Sequence, residues 1–112
     1  MNIPVDDQQI KQAYDHLKAT RTTLSQAYEG ARLARLTYED AKAGIIRSTT
    51  DPKSLGQNEA ARNANIDSVL EDQVQAARES ETAEITARLE HDLAQIDVKC
   101  VESLLAWMAQ FK

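Results

Sequence analysis

Between Asp6 and Arg47 an apolar residue returns every seven places, at Ile10, Leu17, Leu24, Ala31, Tyr38 and Ile45. A small residue follows three places after each of the first five, at Ala13, Thr20, Ala27, Ala34 and Ala41. Apolar residues at the first and fourth places of a heptad form the seam of a coiled coil. A seam that alternates bulky and small side chains lets a second helix approach closely, so this stretch demands a partner along its length.

The rest of the chain offers a helix and little else. Three glycines, two prolines and one phenylalanine in 112 residues leave scant material for tight turns or a packed sheet. Alanine, leucine, glutamate, glutamine and arginine are the residues of long helices. The expected fold is all-α: a single domain, 1–112, built as an elongated antiparallel helical hairpin with coiled-coil-like packing. A heptad-rich chain with few aromatics lacks the pocketed core of most enzymes.

Local signals place the boundaries. Asp6 is positioned to cap the first helix, Gln9 completes a capping-box pattern, and Val5 with Ile10 fits a hydrophobic staple. The first helix is predicted over 6–47, with Gly30 and Gly44 off the seam, where they relax the helix or admit a close neighbour. Residues 48–57 form the connector. Asp51 before Pro52 reads as the cap and first position of one helical turn, and Gly56 as its left-handed stop. Asn58 is a second cap, and Glu59 suits the first turn of the helix that follows.

The second helix is predicted over 59–110. Ile66, Leu70 and Val74 begin its apolar stripe, Ala76, Ala77 and Ala83 thin it, and Ile85, Leu89, Leu93, Ile96, Cys100, Leu104, Trp107 and Phe111 restore it. A continuous helix is expected. The alternative is a break near Ser80 that folds the end back as a third helix. Two helices make a poor core, so the C-terminal apolar residues Ile96, Cys100, Leu104, Trp107, Met108 and Phe111 are candidates for an oligomer interface. Cys100 itself reads as core.

Charge divides the chain unevenly. The net charge is −5, with seven bases and six acids in residues 1–50 and six bases and twelve acids in residues 51–112. On the first helix Lys11, Lys18, Arg21, Arg32, Arg35 and Lys42 fall within an arc of about 140° at 100° per residue, and Tyr14 and Tyr28 share that side. Such a stripe can track a phosphate backbone and stack bases, which makes Lys11, Lys18, Arg21, Tyr28, Arg32, Arg35 and Lys42 the candidate nucleic-acid-binding residues. The simpler reading pairs these bases with the acids of the second helix. Those acids, Glu71, Glu81, Glu84 and Asp92 among them, form a solvated face or else one that docks a basic partner.

Catalytic patterns are lacking. Glu81 and Glu84 stand one turn apart without a second Glu-x-x-Asp element, and His91 has Arg88 where a di-iron bundle needs a carboxylate. His16 has no companion, and no glycine-rich phosphate loop is present. The expectation is no enzyme, no metal and no cofactor. A lone cysteine, the absence of a leader before the first helix and a longest apolar run of only Leu104 to Ala109 lead to the expectation of a soluble cytoplasmic protein with no membrane partner.

The connector motif Leu55-Gly56-Gln57-Asn58-Glu59, followed by Arg62 and Ala64, resembles a pattern in small helical-hairpin proteins of bacteriophages. There a tyrosine- and alanine-rich first helix leads through a Gly-x-Asn-x-x-x-Arg-like turn into an acidic second helix. The resemblance implies a phage origin, hence the host-cell cytoplasm. Its nearest functional analogy is the recombination mediators, oligomeric helical proteins that load a recombinase on single-stranded DNA. The net acidity here departs from those mediators. The expected function is therefore a non-enzymatic, self-associating interaction protein. The alternatives are a single-stranded nucleic-acid accessory and an acidic inhibitor or nucleic-acid mimic.

Overall fold

The computed structural model describes residues 6–111, and among them there is no strand. Helix α1 spans Asp7–Ser48, α2 Glu59–Val69 and α3 Glu71–Ala109, with a 3-10 helix at Pro52–Leu55 between α1 and α2. The fold is the all-α antiparallel hairpin expected. Cross-links join Tyr14 to Glu102 and Thr20 to His91 within residues 1–27 and 84–112, and Arg35 to Glu81 and Tyr38 to Asp67 within residues 28–83, so within each unit positions rise on one segment as they fall on its partner.

Each boundary has a chemical cause. At the start of α1 the Gln9 N–H donates to Asp6 Oδ1 at 2.8 Å and the Asp6 N–H to Gln9 Oε1 at 3.0 Å, a reciprocal capping box that satisfies two donors a helix end leaves open. Ile10 is half-buried, while Val5, its expected staple partner, lies outside the described residues. Asp51 caps the 3-10 helix by accepting from the Lys53 N–H at 3.0 Å, and Asn58 caps α2 by accepting from the Ala61 N–H at 2.8 Å. Gly56 ends the short helix at φ 152°, ψ 159°, an extended conformation at positive φ and not the helical left-handed one expected. A Cβ there would sit 2.7 Å from the Arg62 nitrogen and 2.9 Å from the Ala61 carbonyl carbon, so the connector closes tightly on α2. Arg62 Nε donates to the Gly56 carbonyl at 3.1 Å, and Asn65 Nδ2 donates to that of Leu55.

The second helix expected to run unbroken over 59–110 is two helices: it breaks at Leu70, and not near Ser80. Leu70 has φ −98° and ψ 31°, with its N–H still bonded to the Ile66 carbonyl. Asn63, Asn65, Asp67 and Ser68 precede it, all residues whose side chains compete with the backbone for hydrogen bonds and favour caps over helix interiors. Residues 78–84 stay helical within α3; their thin hydrophobicity reflects small and charged helix formers, not a turn. No third helix folds back from this point.

The chain divides into two compact units, residues 1–27 with 84–112 and residues 28–83. In the first, the α1 seam residues Ile10, Ala13, Leu17, Thr20, Leu24 and Ala27 are all buried or half-buried. Opposite them stand Glu84, Ala87, His91, Ala94, Val98, Val101, Leu105 and Met108, the buried or half-buried positions of α3 within this unit. In the second unit Ala31, Ala34, Tyr38, Ala41 and Ile45 of α1 are likewise covered, opposite Ile66, Leu70, Gln73, Val74, Ala77 and Ser80. The second half thus carries a heptad of its own, with Leu70, Ala77, Glu84, His91, Val98 and Leu105 at one position and Gln73, Ser80, Ala87, Ala94, Val101 and Met108 at the other. Small residues are among the most deeply buried, Ala94 at 1 % exposed and Ala31 at 3 %. Gly30 and Gly44 have nothing within 4 Å of a built Cβ, so neither admits a neighbour.

Candidate functional site

The second unit closes much of the predicted basic stripe on itself. Arg32 makes a bidentate pair with Glu29, three residues back on its own helix. That bond is the chief reason the Glu29 carboxyl is held below its ordinary range and the Arg32 guanidinium above its own. Arg35 reaches across to Glu81 at 3.7 Å, the cross-helix pairing expected if the stripe is scaffold. Lys42 is half-buried with its ammonium 6.0 Å from the Tyr38 ring centroid, a cation–π distance. Tyr28 is exposed.

In the first unit the stripe stays open. Lys11, Lys18 and Arg21 are exposed, and none of the three forms an ion pair among the described residues. Tyr14 instead donates its hydroxyl proton to Glu102 at 2.9 Å, which, with some burial and the carboxylate's charge, raises its phenol above the ordinary value. In the second unit Tyr38 makes the equivalent clasp to Asp67.

The acidic candidates are also dispersed. Glu84 occupies a seam position with its side chain only 14 % exposed, bonded to Arg88 at 3.2 Å. Glu81 is taken by Arg35, Glu71 lies in the first turn of α3, and Asp92 is exposed. Among the described residues no group of three or more His, Cys, Asp or Glu could hold a metal ion, and no helix is long and apolar enough to cross a membrane.

The candidate interface on α3 stays together. Ile85, Leu89, Leu93, Ile96, Leu104, Trp107 and Phe111 are exposed, from 37 % at Leu104 to 66 % at Phe111, and Cys100 lies exposed among them. At 100° per residue these eight positions fall within an arc of about 100°, turned away from the seam. The Trp107 and Phe111 rings touch, with centroids 4.8 Å apart and planes tilted by 60°. Two expectations change. Met108 is half-buried on the seam side and does not belong to this face, and Cys100 is surface, not core. The large apolar residues that dominate the periodicity of α3 point outward, while its smaller heptad packs on α1.

The Thr20–His91 pairing has no counterpart in the reading of the sequence. Thr20 is buried, its Oγ1 lies 2.9 Å from the Leu17 carbonyl and 3.1 Å from His91 Nδ1. A carbonyl can only accept, so the hydroxyl proton goes to Leu17 and the imidazole must donate from Nδ1. The signal for it lay in the heptad of α3, where His91 falls seven residues from Glu84 and Val98.

No family model matches this chain, and neither a curated protein nor a solved structure matches it.

Proposed function

We propose that this chain is a non-enzymatic helical interaction protein that self-associates through the exposed apolar face of α3. The observation that carries the reading is the face itself. Seven large apolar side chains, 37–66 % exposed, lie in one strip, and contiguous apolar patches beyond the ~300–600 Å² of a typical monomer's largest mark interaction sites. A standard interface needs about 800 Å² from each partner. One further copy supplies a matching strip, and a two-fold pairing covers both at once.

The edges of the strip are compatible with antiparallel pairing. Asp92 and Lys99 border one edge and Glu90 and Asp97 the other. A two-fold centred between Leu93 and Ile96 sets Asp92 of one copy near Lys99 of the other, which attracts, and Glu90 near Asp97, which repels. The edges oppose each other, so burial of the apolar strip drives association.

Sedimentation of the full chain at micromolar concentration tests the reading. Wild type sediments as a dimer or larger, and Leu93→Glu sediments as a monomer with unchanged helical circular dichroism. Leu36→Lys, at an exposed apolar position of the second unit, leaves the dimer intact. A monomeric wild type, or a Leu93→Glu chain that still associates, overturns the proposal.

A further inference from the structure

The first unit holds an open groove of about 650 Å³ whose walls include Tyr14, Lys18 and Arg21 from α1 and His91 and Gln95 from α3, with Asp15 a carboxylate along its side. Its size falls within the ~300–1,000 Å³ of small-ligand sites. Lys18 and Arg21 stand three residues apart, about 4.5 Å along the axis at 1.5 Å per residue, and so present two positive charges to the same space. Neither cation forms an ion pair among the described residues, so both charges are open to the groove.

Two further features point to a ligand of defined shape. The bond to Thr20 pins the His91 ring from its Nδ1 side, which leaves Nε2 as the free polar atom of a fixed ring beside the groove. The Gln95 amide supplies a neutral donor on the same helix, one turn away. On the opposite wall Tyr14 is 44 % exposed while its hydroxyl is tied to Glu102, so its side chain is anchored at the tip beside the groove. Two cations, a neutral donor, a fixed imidazole and an anchored aromatic ring suit a phosphate attached to a flat ring.

We propose that this groove binds a phosphate ester of nucleotide size, with Lys18 and Arg21 on the phosphate oxygens, Gln95 donating to the same group, the His91 Nε2 accepting from a ligand hydroxyl, and Tyr14 against the base. Asp15 then accepts a hydrogen bond from a ligand hydroxyl.

The test is a two-dimensional NMR titration of the full chain with adenosine monophosphate, with inorganic phosphate, and with sodium chloride at matched ionic strength. Both phosphate species should shift the backbone amides of residues 14–21 and 91–95 saturably in the millimolar range. The double variant Lys18→Gln/Arg21→Gln should bind about tenfold more weakly, as loss of charge-assisted hydrogen bonds requires, while Lys11→Gln binds as wild type. Nucleotide binding several-fold tighter than phosphate, with the difference erased by Tyr14→Ala, identifies a nucleotide as the source; equal affinities identify free phosphate and retain the phosphate site. Shifts that chloride reproduces, shifts that do not saturate, or shifts unchanged in the double variant overturn the proposal. All substituted positions are exposed, and circular dichroism verifies that each variant folds.

Discussion

Thr20 Oγ1 lies 3.1 Å from His91 Nδ1 inside the seam of the first unit, and the same oxygen gives its proton to the Leu17 carbonyl at 2.9 Å. One polar layer is thereby set among apolar ones. Such a layer fixes which positions face each other, because shifting the helices would strand a buried hydroxyl and an imidazole N–H without partners. Thr20→Val keeps the shape and removes the acceptor, so urea denaturation should show a loss of about 1–2 kcal/mol. Thr20→Val/His91→Leu should lose less than the sum of the two single changes, since both partners are then apolar.

Gly56 stands where a side chain has no room. Its φ of 152° and the 2.7 Å approach of a built Cβ to the Arg62 backbone nitrogen leave Gly56→Ala strained in conformation and in space. Thermal or urea unfolding should register a loss of about 2 kcal/mol or more. An unchanged midpoint would mean that the connector rearranges freely.

Gly30 should respond with the opposite sign. It lies inside α1 with nothing within 4 Å of a built Cβ, so Gly30→Ala removes backbone freedom from the unfolded chain without a clash. A gain of about 1 kcal/mol in the same assay is expected.

Alkaline pH should loosen the tyrosine clasps. The Tyr38 phenol is held above its ordinary value of 10.0, first by the hydrogen bond it donates to Asp67, then by burial and the charges of Asp67 and Glu39. A raised value means that the folded state holds the proton more tightly. The clasp therefore contributes fully below 10.0, its ordinary value, and is lost as pH rises through the higher folded value. Tyr38→Phe should lose about 1 kcal/mol at neutral pH, and its urea midpoint should fall less than that of wild type as the solution becomes strongly alkaline.

Cys100 reports on the face of α3. The thiol is exposed and lies among the residues that a second copy would cover. Maleimide labelling of wild type should slow as protein concentration rises, and labelling of Leu93→Glu should stay fast throughout. A rate independent of concentration in wild type would place the thiol outside the contact.

How much was legible in the sequence differs between the two halves. All eleven α1 seam residues identified from the heptad are covered in the structure, because there the apolar signal and the packing face coincide. The caps at Asp6, Asp51 and Asn58 were equally readable, since each acts within three residues of itself. In α3 the two signals separate. The residues that dominate its periodicity, from Ile85 to Phe111, are exposed, and the weaker heptad of Ala87, His91, Ala94 and Val98 meets α1. Periodicity weights a leucine above an alanine, whereas a close seam between helices selects the smaller side chain.

The sequence by itself determined the all-α class, the first helix, the caps, the connector and the α1 seam, because these follow from interactions a few residues long and from a repeat matched to the helical turn. Only the tertiary structure decided which face of α3 packs inward and that the helix break sits at Leu70. It also decided that Arg35 is neutralised across the helices while Lys18 and Arg21 face an open groove. Those outcomes depend on residues far apart in the chain, such as Thr20 with His91 and Arg35 with Glu81, whose meeting is set by the fit of two surfaces and not by either segment alone.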